Sequence, residues 1–172
     1  MPTTRVGERQ IGAFSKLELI ESTSPSSPAS GNEYLYFKSD GKLYKKNSAG
    51  TESEVAVKTV TFGVDGSGAV IATGEKTTTI ISLPFAGTIV EWRLTSKETT
   101  NLTVDIWAND SADPTNSDSI TASSKPALSS AKFASSSSLS GWTTASAKGK
   151  IFKIEVESNS ASTYFTLILT FV

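Results

Sequence analysis

The stretch 164-YFTLILTF-171 decides the fold. Phe165, Leu167, Leu169 and Phe171 fall on one side of an extended chain, and Thr166, Ile168 and Thr170 on the other. Successive side chains of a strand point to opposite faces, so period two with large apolar residues on one side predicts a β-strand with one buried face. The same alternation recurs upstream. Phe152, Ile154 and Val156 oppose Lys153, Glu155 and Glu157; Leu102, Val104 and Ile106 oppose Thr103, Asp105 and Trp107. Strands are predicted at 60–64, 77–83, 87–94, 102–108, 150–157 and 163–171. Turn signals separate them: 65-DGSG-68, read as a hairpin turn, then 84-PFAG-87, 109-ND-110 and 158-SNS-160. No stretch sustains a 3.6-residue apolar period, so little helix is expected.

Half-buried strands of this length, joined by tight turns, predict an all-β chain whose residues 59–172 form an antiparallel, jelly-roll-like β-sandwich. Within it, 118–148 is rich in Ser, Ala and Thr, with Ile120, Leu128, Phe133, Leu139 and Trp142 to pack. A structureless loop of that length is unusual inside a compact domain, so one or two irregular strands are expected there.

The chain ahead of the sandwich has a different texture. The stretch 33-EYLYFKSDGKLYKKNSAGTESE-54 carries turns at Ser39-Asp40-Gly41 and at Asn47-Ser48-Ala49-Gly50, which divide it into short β-strands. With the linker 22-STSPSSPASG-31 it makes a hairpin segment, 22–58. So small a sheet buries no core of its own, because an isolated hairpin is marginal in water. Its apolar residues need a partner surface, and identical segments from sister chains are an economical one. Residues 1–21 read as an arm, with a strand candidate at 16–20.

Composition excludes much chemistry. The chain has 172 residues, 16 Lys+Arg against 17 Asp+Glu, no cysteine and no histidine. Without histidine the Ser-His-Asp and Cys-His arrangements are ruled out, and without cysteine so are disulfides and thiolate zinc sites. A net charge of −1 with scattered basic residues argues against nucleic acid. The polar start, Met1 to Arg5, has no apolar run after it, and the apolar tail falls short of the ~20 residues a spanning helix needs, so neither a targeting segment nor a membrane partner is expected.

Site candidates are few. The window 105-DIWANDSADPTNSD-118 offers Asp105, Asp110, Asp113 and Asp118, but its spacing is not that of an EF-hand, and a solvated loop of turn-capping carboxylates is the simpler reading. Glu91 or Glu155 paired with these acids carries no glycosidase specificity. The serines lack a base, and 65-DGSG-68 lacks the Lys-Ser/Thr ending of a phosphate loop. No catalytic residue and no cofactor is expected. Trp107 and Trp142 offer a stacking surface for sugar rings, against the alternative that large aromatics serve as core or subunit contacts.

Two segments resemble tailed-bacteriophage virion proteins. The first is 25-PSSPASG-31 with 34-YLYFKSDGKLY-44 and Gly50-Thr51-Glu52, which is similar to a segment preceding the distal domain in phage fibres, commonly within a trimeric stalk. The second comprises Thr73-Gly74, 81-ISLPFAGTI-89, Trp92, 104-VDIW-107, 118-DSI-120, Lys125-Pro126, Leu128-Ser129 and 141-GWTT-144, and resembles a C-terminal β-domain of many phage structural proteins. The resemblance implies a virion-located homotrimer that decorates or cements the head, with Tyr34, Tyr36, Phe37, Leu43 and Tyr44 around the three-fold axis. Residues 1–21, with Arg5, Phe14, Leu17 and Leu19, would attach it to the major capsid protein or another virion protein. The alternative is a tail fibre or receptor-binding protein touching a host surface glycan through Trp107 or Trp142.

Overall fold

The structure, a computed structural model, describes residues 23–172. The segment 1–21, expected from the sequence to attach the chain through Arg5, Phe14, Leu17 and Leu19, lies outside the described residues. The chain divides into two compact units, the first ending at Val55 and the second running Ala56–Val172.

The described part of the first unit is a three-stranded antiparallel sheet in the order β1 (Glu33–Phe37), β2 (Leu43–Asn47), β3 (Glu52–Glu54). Both turns close on their own side chains. Asp40 Oδ1 accepts from the Lys42 amide at 3.0 Å, while Asn47 Oδ1 accepts from the amides of Ala49 at 3.1 Å and Thr51 at 2.9 Å. Short Asx side chains compete well for nearby backbone donors, which is why these residues stop the strands.

The second unit is all-β and antiparallel throughout, a sandwich-like near-barrel. Its strands are β4 (Lys58–Asp65), β5 (Gly74–Ser82), β6 (Gly87–Asn109), β7 (Ala127–Ser136), β8 (Ala145–Ser146), β9 (Ile151–Asn159) and β10 (Tyr164–Phe171). The pairing order is β4-β10-β6-β9-β5, with β7 and β8 also on β6. β7 and β8 are the irregular strands expected within 118–148. Among the described residues the helical content is one turn of 3-10 helix, Asn116–Asp118.

β6 organises the unit. Two strands were expected at 87–94 and 102–108; one strand of 23 residues covers both. Its first half pairs with β10 (Leu94 opposite Leu167) and its second with β9 (Ile106 opposite Ile154). The polar run between the halves stays in the strand because its groups find internal partners where the register shifts. Ser96 Oγ donates to Ser162 Oγ at 2.8 Å, Thr100 Oγ1 to Asn159 Oδ1 at 3.2 Å, and Glu98 accepts from the amide and hydroxyl of Thr163.

The turn 65-DGSG-68 also differs from expectation, since β4 pairs with β10 while β5 pairs with β9. It is a crossing between two edge strands, not a hairpin. Gly66 is required there, since a Cβ would lie 2.1 Å from the Ala69 carbonyl oxygen.

The core follows the predicted alternation. Phe165, Leu167, Leu169 and Phe171 are fully buried, facing Leu102, Val104, Ile106, Phe152, Ile154 and Val156.

Candidate functional site

The polar face of the β6–β9 ladder is not solvated as alternation alone would suggest. Asp105 and Glu155 stand directly opposite each other, and Asp105 is wholly buried. The segment 119–126 closes over them, tied to the edge of β6 by the Ile120 amide on the Ile106 carbonyl (2.9 Å) and by the Val104 amide on the Pro126 carbonyl (3.0 Å).

Asp105 Oδ1 accepts from the Ile106 amide (2.7 Å), the Ser119 hydroxyl (2.8 Å) and the Thr121 hydroxyl (2.5 Å). Its Oδ2 accepts no well-aligned hydrogen bond; it faces the Lys125 ammonium at 3.1 Å, which also binds Glu157. Burial pushes the Asp105 carboxyl up, but the bonds from Thr121 and Ser119, the Lys125 ammonium beside it and the bond from the Ile106 amide outweigh it, holding the group below the usual carboxylate value. Burial likewise pulls Lys125 down, and Glu157 and Asp105 overcome that, so it stays charged.

Asp105, Glu155 and Glu157 each place an oxygen within 4.8 Å of the others. Such a trio suits a hard cation, and the cation at hand is the Lys125 ammonium. A metal ion would have to displace it. The chemistry on show is a clamp that pins segment 119–126 across two strands.

Glu155 is the odd member. Burial, followed by the charges of Glu157 and Asp105, raises its carboxyl above the ordinary value of 4.5. The folded state therefore binds this proton more readily than the unfolded chain, and stability falls as pH rises through that interval. Glu155→Gln is expected to stabilise the second unit at pH 7 by on the order of 0.5 kcal/mol, like charges directly opposed being unfavourable. The gain should fade below pH 4.5. Thermal melts at both pH values decide it, and equal destabilisation at both would overturn the account.

The loop carboxylates have protein partners. Asp110 pairs with Lys150 at 3.3 Å, Asp113 with Lys153 at 3.0 Å, and Asp118 accepts from Asn109 (3.0 Å) and the Thr115 amide (2.8 Å). Lys153, itself buried, reaches Glu75 at 3.3 Å and lies 5.7 Å from the Trp107 ring centroid.

The two tryptophans expected at a glycan surface are closed off. Trp107 is 3% exposed beneath that ion cluster, and Trp142, 9% exposed, sits in the core with its indole N–H donating to the Ser124 carbonyl at 2.8 Å. Neither offers a ring face to a sugar.

In the first unit the structure sorts the expected contact residues onto two faces. Tyr36 pairs with Tyr44 and Tyr34 with Lys46, all on one side. The linker lies against that side: the Lys46 ammonium donates to the Pro25 carbonyl at 2.7 Å, and Glu52 binds both Lys38 and Ser24. Lys38, Ser24 and the Tyr36 phenol lower the Glu52 carboxyl to about 2. Tyr36 is thereby shielded within a single chain, at 7% exposure. Phe37 and Leu43 lie on the other face with Leu35. Val55, whose amide donates to the Leu43 carbonyl, joins them.

The clamp residues Ser119, Thr121, Lys125 and Glu157, and the face residues Leu35 and Val55, were not singled out as sites from sequence. For Leu35 the signal is its period-two spacing from Phe37; Val55 and the clamp residues are brought to their places by strand pairing and tertiary contacts. Comparison of the chain with protein-family models, with curated proteins and with solved structures finds no match in any of the three.

Proposed function

We propose that this chain is a non-enzymatic structural protein of a tailed-bacteriophage virion, a homotrimer that decorates or cements the head shell. Residues 1–21 grip the major capsid protein, and the sandwich of the second unit projects outward. The observation that carries this reading is the division of labour in the chain. One unit fills its own core, while the described part of the other is a small three-stranded sheet that leaves apolar side chains in water. Such a sheet gains stability from assembly, not from its own interior. The resemblance of 25–44 and 73–144 to phage virion segments supplies the setting. A protein that binds across capsid seams favours the closed shell by mass action.

A tail fibre or receptor-binding role is the second reading. The exposed Phe133 on β7 and Tyr164 on β10 favour it, since the register places both on the outer face of the sheet. One experiment separates the two readings. The chain lacking residues 1–21 is expected to lose binding to purified heads and keep its oligomeric state. Retained head binding would overturn the attachment role, and adsorption of the intact chain to host cells but not to heads would favour the fibre.

A further inference from the structure

We infer that the sheet face bearing Leu35, Phe37, Leu43 and Val55 is the surface through which sister chains join. Directly opposed residues of an antiparallel sheet share a face, so the register divides the first unit cleanly. The tyrosine face is partly occupied by the chain's own linker, with Pro28 and Tyr36 buried and Tyr34, at its edge, 44% exposed. On the opposite face Leu35 is 55% exposed and Val55 46%, with Phe37 and Leu43 half-buried between them.

Charge on this face says what covers it. Lys38, Lys42 and Lys46 each pair with Glu52 or Glu54 of their own sheet. Glu33 and Lys45 make no ion pair among the described residues, and both flank Leu35 on the apolar face, Lys45 directly opposite it. One acid and one base beside an apolar patch are complementary to the same patch on another copy: rotation brings Glu33 of one chain against Lys45 of the next. The choice of three copies rests on the virion reading above; the identity of the face does not.

The test uses the full-length chain. Sedimentation and light scattering at micromolar concentration should give a trimer for the wild type and a monomer for L35K/V55K, with the thermal transition of the sandwich unit unchanged. Should L35K/V55K unfold the small sheet, charge reversal keeps the question open to decision. E33K alone should weaken association about tenfold at low salt, and E33K/K45E should restore it. A wild-type monomer, an oligomer indifferent to L35K/V55K, or a charge swap that fails to rescue would each overturn the inference, whereas a wild-type dimer lost in L35K/V55K would uphold the face and reject only the copy number. Head binding measured on the same samples keeps the two claims apart. A wild-type trimer lost in L35K/V55K that never binds heads upholds the face and rejects the capsid role; head binding with an insensitive trimer does the reverse.

Discussion

Phe171→Ala lowers the stability of the sandwich unit by about 3–5 kcal/mol and its thermal midpoint by on the order of 10–20 °C. The ring is fully buried and meets Phe85 and Phe152 edge-on, with centroids 5.3 and 6.3 Å away. Edge-to-face aromatic pairs add stabilisation beyond the area they bury, so one truncation removes two of them. The surroundings have little freedom to collapse into the gap. Phe171 is held in the ladder between Lys58 and Ile89, and the Gly87 backbone is so close that a Cβ there would sit 3.3 Å from Phe171 Cβ. Phe171→Leu should cost markedly less, since it keeps most of the volume. Urea titrations followed by tryptophan fluorescence give the number, and a loss below about 1 kcal/mol for Phe171→Ala would mean that the corner repacks freely.

Asp105→Ala is the second large effect, expected at about 3–5 kcal/mol near neutral pH, because removing one member of a buried ion pair leaves its partners unsatisfied. The hydroxyls of Ser119 and Thr121 lose their acceptor, and Lys125 loses the more deeply buried of its carboxylates. Segment 119–126 should loosen first, and with it the bond from the Trp142 indole to the Ser124 carbonyl. The sign of the pH dependence follows from the lowered carboxyl. Its contribution is fully present above the ordinary value of 3.8 and is lost as pH falls through the lower folded value. The gap between wild type and Asp105→Ala should therefore be widest at pH 6–8 and narrow below 3.8. Melts across that range, with acrylamide quenching of tryptophan emission, test both statements. A gap independent of pH would mean that the carboxylate acts by packing alone.

Fold class was legible because large apolar residues alternate without interruption in 102–108, 151–157 and 164–171, where one face is dry. Legibility failed where polar residues are satisfied inside the protein. The run from Ser96 to Asn101 has the composition of a loop, yet Ser96 and Thr100 are buried and bonded across to 159–163. Asp105 and Lys153 occupy positions that alternation assigns to solvent; a segment with no periodicity of its own covers Asp105, and its position depends on contacts no local pattern encodes. Trp107 is hidden by the Lys153 ion pairs, whose partners Glu75 and Asp113 come from distant parts of the chain. In the small sheet the aromatics drew attention to the tyrosines, whereas the apolar face left in water is built from Leu35 and Val55.

The sandwich unit begins and ends at one pole. Its entry strand pairs Lys58 with Phe171, and Val172 exchanges both backbone bonds with Thr88, at 2.9 and 3.0 Å. Asp65 and Tyr164 mark the far pole of the same ladder. Whatever tows or anchors the unit by its ends therefore loads the β4–β10 ladder like a zip, one rung after another. A foreign peptide spliced at 67–68 would ride at the tip, whereas one appended after Val172 would emerge back at the root.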